Sequence, residues 1–220
     1  MRTLPLFVPR RRFLTAAALP LAAYAVPGAW AQMLAETAKQ TEGPFYPDRL
    51  PLDTDNDLLV LNDSSSPADG EVTHFSGRVL SKSGQPLRGI TVELWQADAR
   101  GVYIHSRSGR GDQRDGNFQG YGRFLTGSDG RFYFRTIKPV AYVGRTPHIH
   151  VIAKKGDRRL LTTQCYVKGE PLNERDRLYL RAPEDRRHTL LAEWTRIDGD
   201  APQWNASWDI VLGVTPEDVA

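Results

Sequence analysis

A single cysteine, Cys165, stands in 220 residues, so the chain can form no intramolecular disulfide and carries no structural zinc site of the cysteine type. Acidic residues are absent from the first 31 positions, which hold four of the 29 basic residues. The remainder therefore has 25 basic against 26 acidic residues, a formal net charge of −1 where the whole chain has +3. That balance removes the clustered positive surface on which phosphate binding depends, and no nucleic-acid partner is expected. Beyond the N-terminal segment no apolar run approaches the roughly 20 residues a spanning helix needs. Long helical periodicity, internal repeats and low-complexity tracts are missing too, which leaves a globular, strand-rich chain.

The first 31 residues have their own grammar. In "PRRRFLTAAALPLAAYAVPGAWAQ" a charged stretch precedes an apolar one from Phe13 to about Pro27, and Ala29 and Ala31 form an A-x-A cleavage pattern before Gln32. Residues 1–31 read as a signal peptide. Arg10, Arg11, Arg12, Phe13 and Leu14 resemble the R-R-x-F-L signal of twin-arginine (Tat) export, which carries folded cargo; an arginine-rich Sec leader is the alternative. The expectation is a periplasmic or secreted protein with no stable membrane span once the leader is removed.

Residues 32–70 are rich in Pro, Asp, Asn and Ser and read as an irregular N-terminal arm. From Glu71 onward short apolar or alternating runs appear: "THFSGRVLS", "GITVELWQA", "GRFYFRTI", "PHIHVIAKK", "RLLTTQCYV" and "SWDIVLGV". "KSGQPLRG", "GSDG" and "KKGDR" supply turns between them. The expected fold of residues 71–220 is all-β, an antiparallel sandwich or barrel. "NERDRLYLRAPEDRRHTLLAEW" has room for one or two short helical turns, interrupted at Pro183.

Within "YVGRTPHIHVIA" His148 and His150 are separated by one residue. On a strand they project from one face, while Ile149 and Val151 point the other way into a core. Two ligands for one metal fit that spacing, as does a solvated or hydrogen-bonded strand face. Tyr142 lies close by, and Tyr103 follows the run "VELWQADARGV". A phenol with an ordinary pKa near ~10 becomes a ligand only when a strong Lewis acid removes its proton. Ferric iron does this: two tyrosinates and a hydroxide balance its charge and two neutral imidazoles complete the set. The plainer reading of both tyrosines is of half-buried aromatics with hydrogen-bonded hydroxyls.

The segments "GITVELWQADARGVY", "NFQGYGRFLTGSDGRFYFRTIKPVAY", "RTPHIHV" and "LLTTQCYVKGEPLN", in that order and preceded by "TEGPFYPD", resemble the catalytic domain of the intradiol ring-cleavage dioxygenases. These are the catechol, hydroxyquinol and protocatechuate 3,4-dioxygenases. The resemblance implies a β-sandwich of the protocatechuate-dioxygenase type and an Fe(3+) bound by Tyr103, Tyr142, His148 and His150. It gives Tyr142 the role of the axial ligand that leaves when the substrate binds. Arg145 becomes the arginine that stabilises charge over the bound ring, and Gln164 its neighbour. The implied substrates are a small aromatic diol and O2, and the implied product a cis,cis-muconate-type diacid. Three departures stand beside this. The loop "YVGRTPH" is short and lacks tryptophan, no long helical segment precedes the β-rich region, and an export leader is present. They leave the particular catechol open, and with it homo-oligomerisation. The rival reading is a secreted, non-catalytic β-sandwich binding module with a vestigial metal site.

Overall fold

The alternating runs become strands that share one core. The structure, a computed structural model, describes residues 33–61, 66–108, 111–142, 144–199 and 201–219; the signal-peptide reading of residues 1–31 lies outside them. Strands β1 (Val72–Ser81), β2 (Thr91–Trp95), β3 (Tyr121–Leu125), β4 (Arg131–Ile137), β5 (His148–Lys155), β6 (Arg158–Val167), β7 (Leu191–Ile197), β8 (Gln203–Ser207) and β9 (Ile210–Leu212) are joined with little helix. Neighbours follow the order β3-β2-β5-β6-β7-β8-β1-β4, with β9 beside β1. The path folds over at β6 and β7, which meet only through Tyr166 with Leu191 and Val167 with Ala192. Val92, Leu94, Ile149, Val151 and Cys165 of the first half pack with Phe75, Val79, Phe132 and Phe134 of the second, all essentially inaccessible. Alternate residues of both halves thus fill one interior. Each such large apolar side chain contributes about 1.5–3 kcal/mol on burial.

The pairing is mixed rather than wholly antiparallel. β2–β3, β2–β5, β5–β6, β1–β4 and β7–β8 are antiparallel, but β6–β7, β1–β8 and β1–β9 are parallel. Parallel neighbours need long crossovers. Here residues 168–190 supply one, with 3₁₀ turns at Pro171–Arg175 and Glu184–Leu190 around a single helical turn α1 (Arg177–Leu180). Pro183 caps the second 3₁₀ turn, so it separates the helical pieces as its sequence position implied.

β5 is buried on both faces from His148 to Ala153. Ile149, Val151 and Ala153 face the sandwich interior. His148, His150 and Ile152 face outward and are buried as well. The irregular arm contributes to that cover. Its Gln40 N–H donates to the Thr162 carbonyl, its Thr37 N–H to the Val211 carbonyl, and Phe45 and Tyr46 pack with Trp95, Tyr103 and Ile152. β5 turns into β6 through Gly156-Asp157, where a φ of +55° at Gly156 suits a two-residue hairpin.

Candidate metal centre

Tyr103 is delivered by the loop after β2. Asp98, fully buried, accepts the backbone N–H groups of Arg100 and Val102 at 2.9 Å each through Oδ1, and that of Asp115 at 2.7 Å through Oδ2. This Asx-type winding fixes the chain just ahead of the tyrosine. At Gly101 a φ of +76° and an approach to Tyr142, whose Cβ would lie 2.9 Å from an added Cβ, leave room for no side chain. Tyr142 opens a tight loop in which its backbone and that of Arg145 exchange hydrogen bonds of 3.2 and 2.7 Å. Two residues past Thr146, β5 begins and presents His148 and His150.

All four sequence-identified side chains meet. Tyr103 Oη lies 3.0 Å from Tyr142 Oη, 3.4 Å from His148 Nε2 and 3.0 Å from His150 Nε2. Tyr142 Oη is 3.5 Å from His148 Nε2, and the two Nε2 atoms are 3.2 Å apart. His148 Nδ1 donates to the Thr146 carbonyl at 2.6 Å, so Nε2 turns a lone pair toward the other three atoms. Trp95 stacks on His150, ring centroids 4.8 Å apart, and His150 Nδ1 has no hydrogen-bond partner. Burial, then Arg145, draws His148 down to about 4; burial, then His148, takes His150 well below the imidazole range. Both are neutral bases at pH 7. Burial and the adjoining Tyr142 hold the Tyr103 phenol well above 10. Tyr142 is also raised by burial, against the opposing pull of the Tyr103 hydrogen bond and Arg145.

The Nε2 atoms of both histidines and two phenol oxygens crowd one point. A cation resolves this. With bonds of about 2.1 Å, ligands at 90–110° sit about 3.0–3.4 Å apart, close to the spacing found. Among the described residues no three His, Cys, Asp or Glu side chains gather to hold a metal, so the donor set depends on its tyrosines. Phenolate donors suit a hard, highly charged ion.

Arg145 and Gln164 join the same neighbourhood. Arg145 donates through a terminal nitrogen to Gln164 Oε1 at 2.6 Å and through Nε to Asp176 Oδ2 at 2.8 Å. Gln164 Nε2 donates to the Thr41 carbonyl of the arm, and Tyr166 Oη donates to Gln164 Oε1. A cavity of about 300 Å³ opens beside the cluster, lined by Phe45, Gly101, Tyr103, Ser108, Tyr142 and Arg145. Phe45 stacks on Tyr103 at 5.1 Å between centroids. The space takes one substituted aromatic ring.

A family model described as Dioxygenase matches residues 41–214. The chain belongs to the intradiol ring-cleavage dioxygenases. The protocatechuate 3,4-dioxygenase beta chain of Burkholderia cepacia is 36% identical over 193 residues, 81% of this chain and 80% of that protein. Catechol 1,2-dioxygenase 1 of Acinetobacter lwoffii is 30% identical over 154 residues, 62% of this chain and 48% of its own, so this chain spans about half of that relative. Among solved structures, the dioxygenase domain of a dioxygenase carbohydrate-binding protein fusion from Streptomyces sp. SirexAA-E matches with a TM-score of 0.61 at 33% identity. The match covers 82% of this chain and all of that one.

Sequence reasoning toward an intradiol dioxygenase did not single out Phe45, Trp95, Thr146 or Asp176. Phe45 lies in "TEGPFYPD", which entered only as the stretch preceding the matching segments. Asp176 lies 31 positions beyond Arg145, in a stretch read only for its helical turns, and nothing local marks it.

Proposed function

We propose that this oxidoreductase is an Fe(3+)-dependent intradiol dioxygenase that opens a catechol-type ring, with Tyr103, Tyr142, His148 and His150 holding the iron. The observation that carries the reading is the convergence of those four donor atoms, with contacts of 3.0–3.5 Å, beside a cavity sized for one aromatic ring. When bound, the ferric ion supplies the Lewis acidity that ionises both buried phenols and the redox-active centre where catechol and O2 react. Overall, both atoms of O2 are added as the bond between the two hydroxylated carbons breaks, giving a cis,cis-muconate-type diacid.

The chain's own groups divide the remaining work. Tyr142, the less buried of the two tyrosines and a lining residue of the cavity, is the group that accepts a proton from an entering catechol hydroxyl in this reading. Arg145, on the same wall and held by Gln164, offers fixed positive charge to the ring as it gains anionic character. Phe45 and Tyr103 line the cavity with stacked rings against which an aromatic substrate can pack. The leader adds a cellular address, the periplasm or exterior, which suits catechols met outside the cytoplasm.

A visible spectrum of the purified protein tests the reading, taken before and after anaerobic addition of catechol. A broad tyrosinate-to-iron band that shifts with catechol, followed by oxygen uptake on aeration, is the expected result. Protein that remains colourless after ferric iron is supplied, and consumes no oxygen with any catechol, would return the fold to a non-catalytic binding role.

A further inference from the structure

Asp176 belongs to the crossover between β6 and β7, far in sequence from the cluster, yet its carboxylate is spent on the loop that carries half of it. Its side chain is fully buried. Oδ2 accepts from Arg145 Nε at 2.8 Å and from the Thr146 backbone N–H at 3.0 Å. Oδ1 accepts from the backbone N–H groups of Leu178 and Tyr179 at 2.8 and 3.1 Å, capping α1. The crossover grips the same loop a second time. Asn173 Oδ1 accepts the Thr146 hydroxyl at 2.8 Å, while Asn173 Nδ2 donates to the Val167 carbonyl. Thr146 in turn presents the carbonyl that orients His148, and Arg145 is paired backbone to backbone with Tyr142.

A buried carboxylate is costly unless its hydrogen-bonding capacity is filled, and these four donors fill it. The α1 cap would need only one oxygen, which a neutral Asn or Ser supplies about as well. A single helical turn does not require a charged residue. What does require one is the guanidinium of Arg145. Gln164 satisfies one terminal nitrogen and the Asp176 carboxylate fixes Nε, so the guanidinium plane has one orientation against the cavity wall.

We propose that Asp176 is a positioning residue of the ring-cleavage reaction: it sets the guanidinium of Arg145 against the substrate cavity and is more than the cap of α1. The inference rests on the dioxygenase reading. It predicts that charge at position 176 matters to turnover chiefly through Arg145.

A double-mutant cycle on the iron-loaded enzyme decides it, comparing wild type, Asp176→Asn, Arg145→Ala and the double variant. Asp176→Ser serves as a second cap-competent replacement. Asp176→Asn and Asp176→Ser are expected to keep their iron and the tyrosinate band and to lose about tenfold or more in kcat/KM with catechol. In the Arg145→Ala background Asp176→Asn is expected to cost less than about twofold. Anaerobic catechol affinity by calorimetry reads the same coupling without turnover, and the same non-additivity is expected there. Multiplicative losses, with Asp176→Asn as harmful without Arg145 as with it, would overturn the proposal, as would both cap-competent variants failing to fold. Wild type that neither binds nor cleaves catechol would overturn the dioxygenase reading itself, an outcome distinct from an additive cycle in an active enzyme.

Discussion

The state of each donor follows from burial before any metal is considered. His148 titrates near 4 in the folded chain against 6.5 when unfolded, chiefly because burial disfavours its charged form and Arg145 adds repulsion. Between those values the unfolded chain takes up a proton that the folded chain refuses. Folding therefore weakens as pH drops through the window from about 6.5 to about 4 and is unaffected by this group above it. For metal-free protein the loss between pH 7 and pH 5 is on the order of 2 kcal/mol from His148 alone. Urea midpoints at the two pH values measure it, and His148→Gln should flatten the slope. Bound iron should flatten it too, because a coordinated imidazole nitrogen is closed to protons until the metal leaves. A metal-free protein equally stable at pH 5 and pH 7 would contradict the burial argument.

At the scale of elements, the arm is as much part of the site as the strands are. Phe45 stacks on Tyr103 and meets His105 edge-on, and Tyr46 meets Trp95 at 5.1 Å, so a segment without regular structure covers the outer face of β2 and β5. Phe45→Ala removes one wall of the cavity. It should raise KM for catechol about tenfold with little change in iron content, and cost about 1 kcal/mol of stability from the lost aromatic pair. Steady-state kinetics with iron analysis and a melting curve check both parts.

The same contrast explains what could be read beforehand. β1, β2, β4, β5, β6 and β9 were legible because apolar residues alternate or run together between turn signals, and the i, i+2 rule put His148 and His150 on one face. β3, β7 and β8 were not. Gly122 interrupts β3, while β7 and β8 leave polar residues such as Glu193, Arg196 and Asn205 outside, so neither pattern stands out. Parallel pairing of β1 with β8 and β9 is a long-range choice that no local pattern encodes. That Tyr103, Tyr142, His148, His150 and Arg145 come together was legible through the ordered motifs. Asp176 was not, because its importance lies in a contact made only after the crossover folds back on the loop.

At the scale of the whole molecule, the proposed metal loading would depend on folding. Tyr103 and His150 touch across 47 positions of sequence, and Tyr142 joins them from a loop whose Arg145 and Thr146 are both held by Asp176. An unfolded chain has no such site, so the proposed iron binding would be coupled to folding. Among the described residues the buried clusters belong to one compact unit. This bears on the proposed export. A route that threads unfolded chains would demand loading outside the cytoplasm, whereas the Tat route takes folded cargo and allows iron to be inserted first. Replacing Arg10 and Arg11 by lysine is therefore expected, in a bacterium with a working Tat system, to strand the precursor in the cytoplasm in an iron-loaded, coloured form. The native leader should deliver coloured protein to the periplasm. Fractionation followed by absorption spectra separates the cases: a doubly substituted leader that still exports would mean the arginine pair is not the address, and a stranded precursor without colour would mean that loading waits for export.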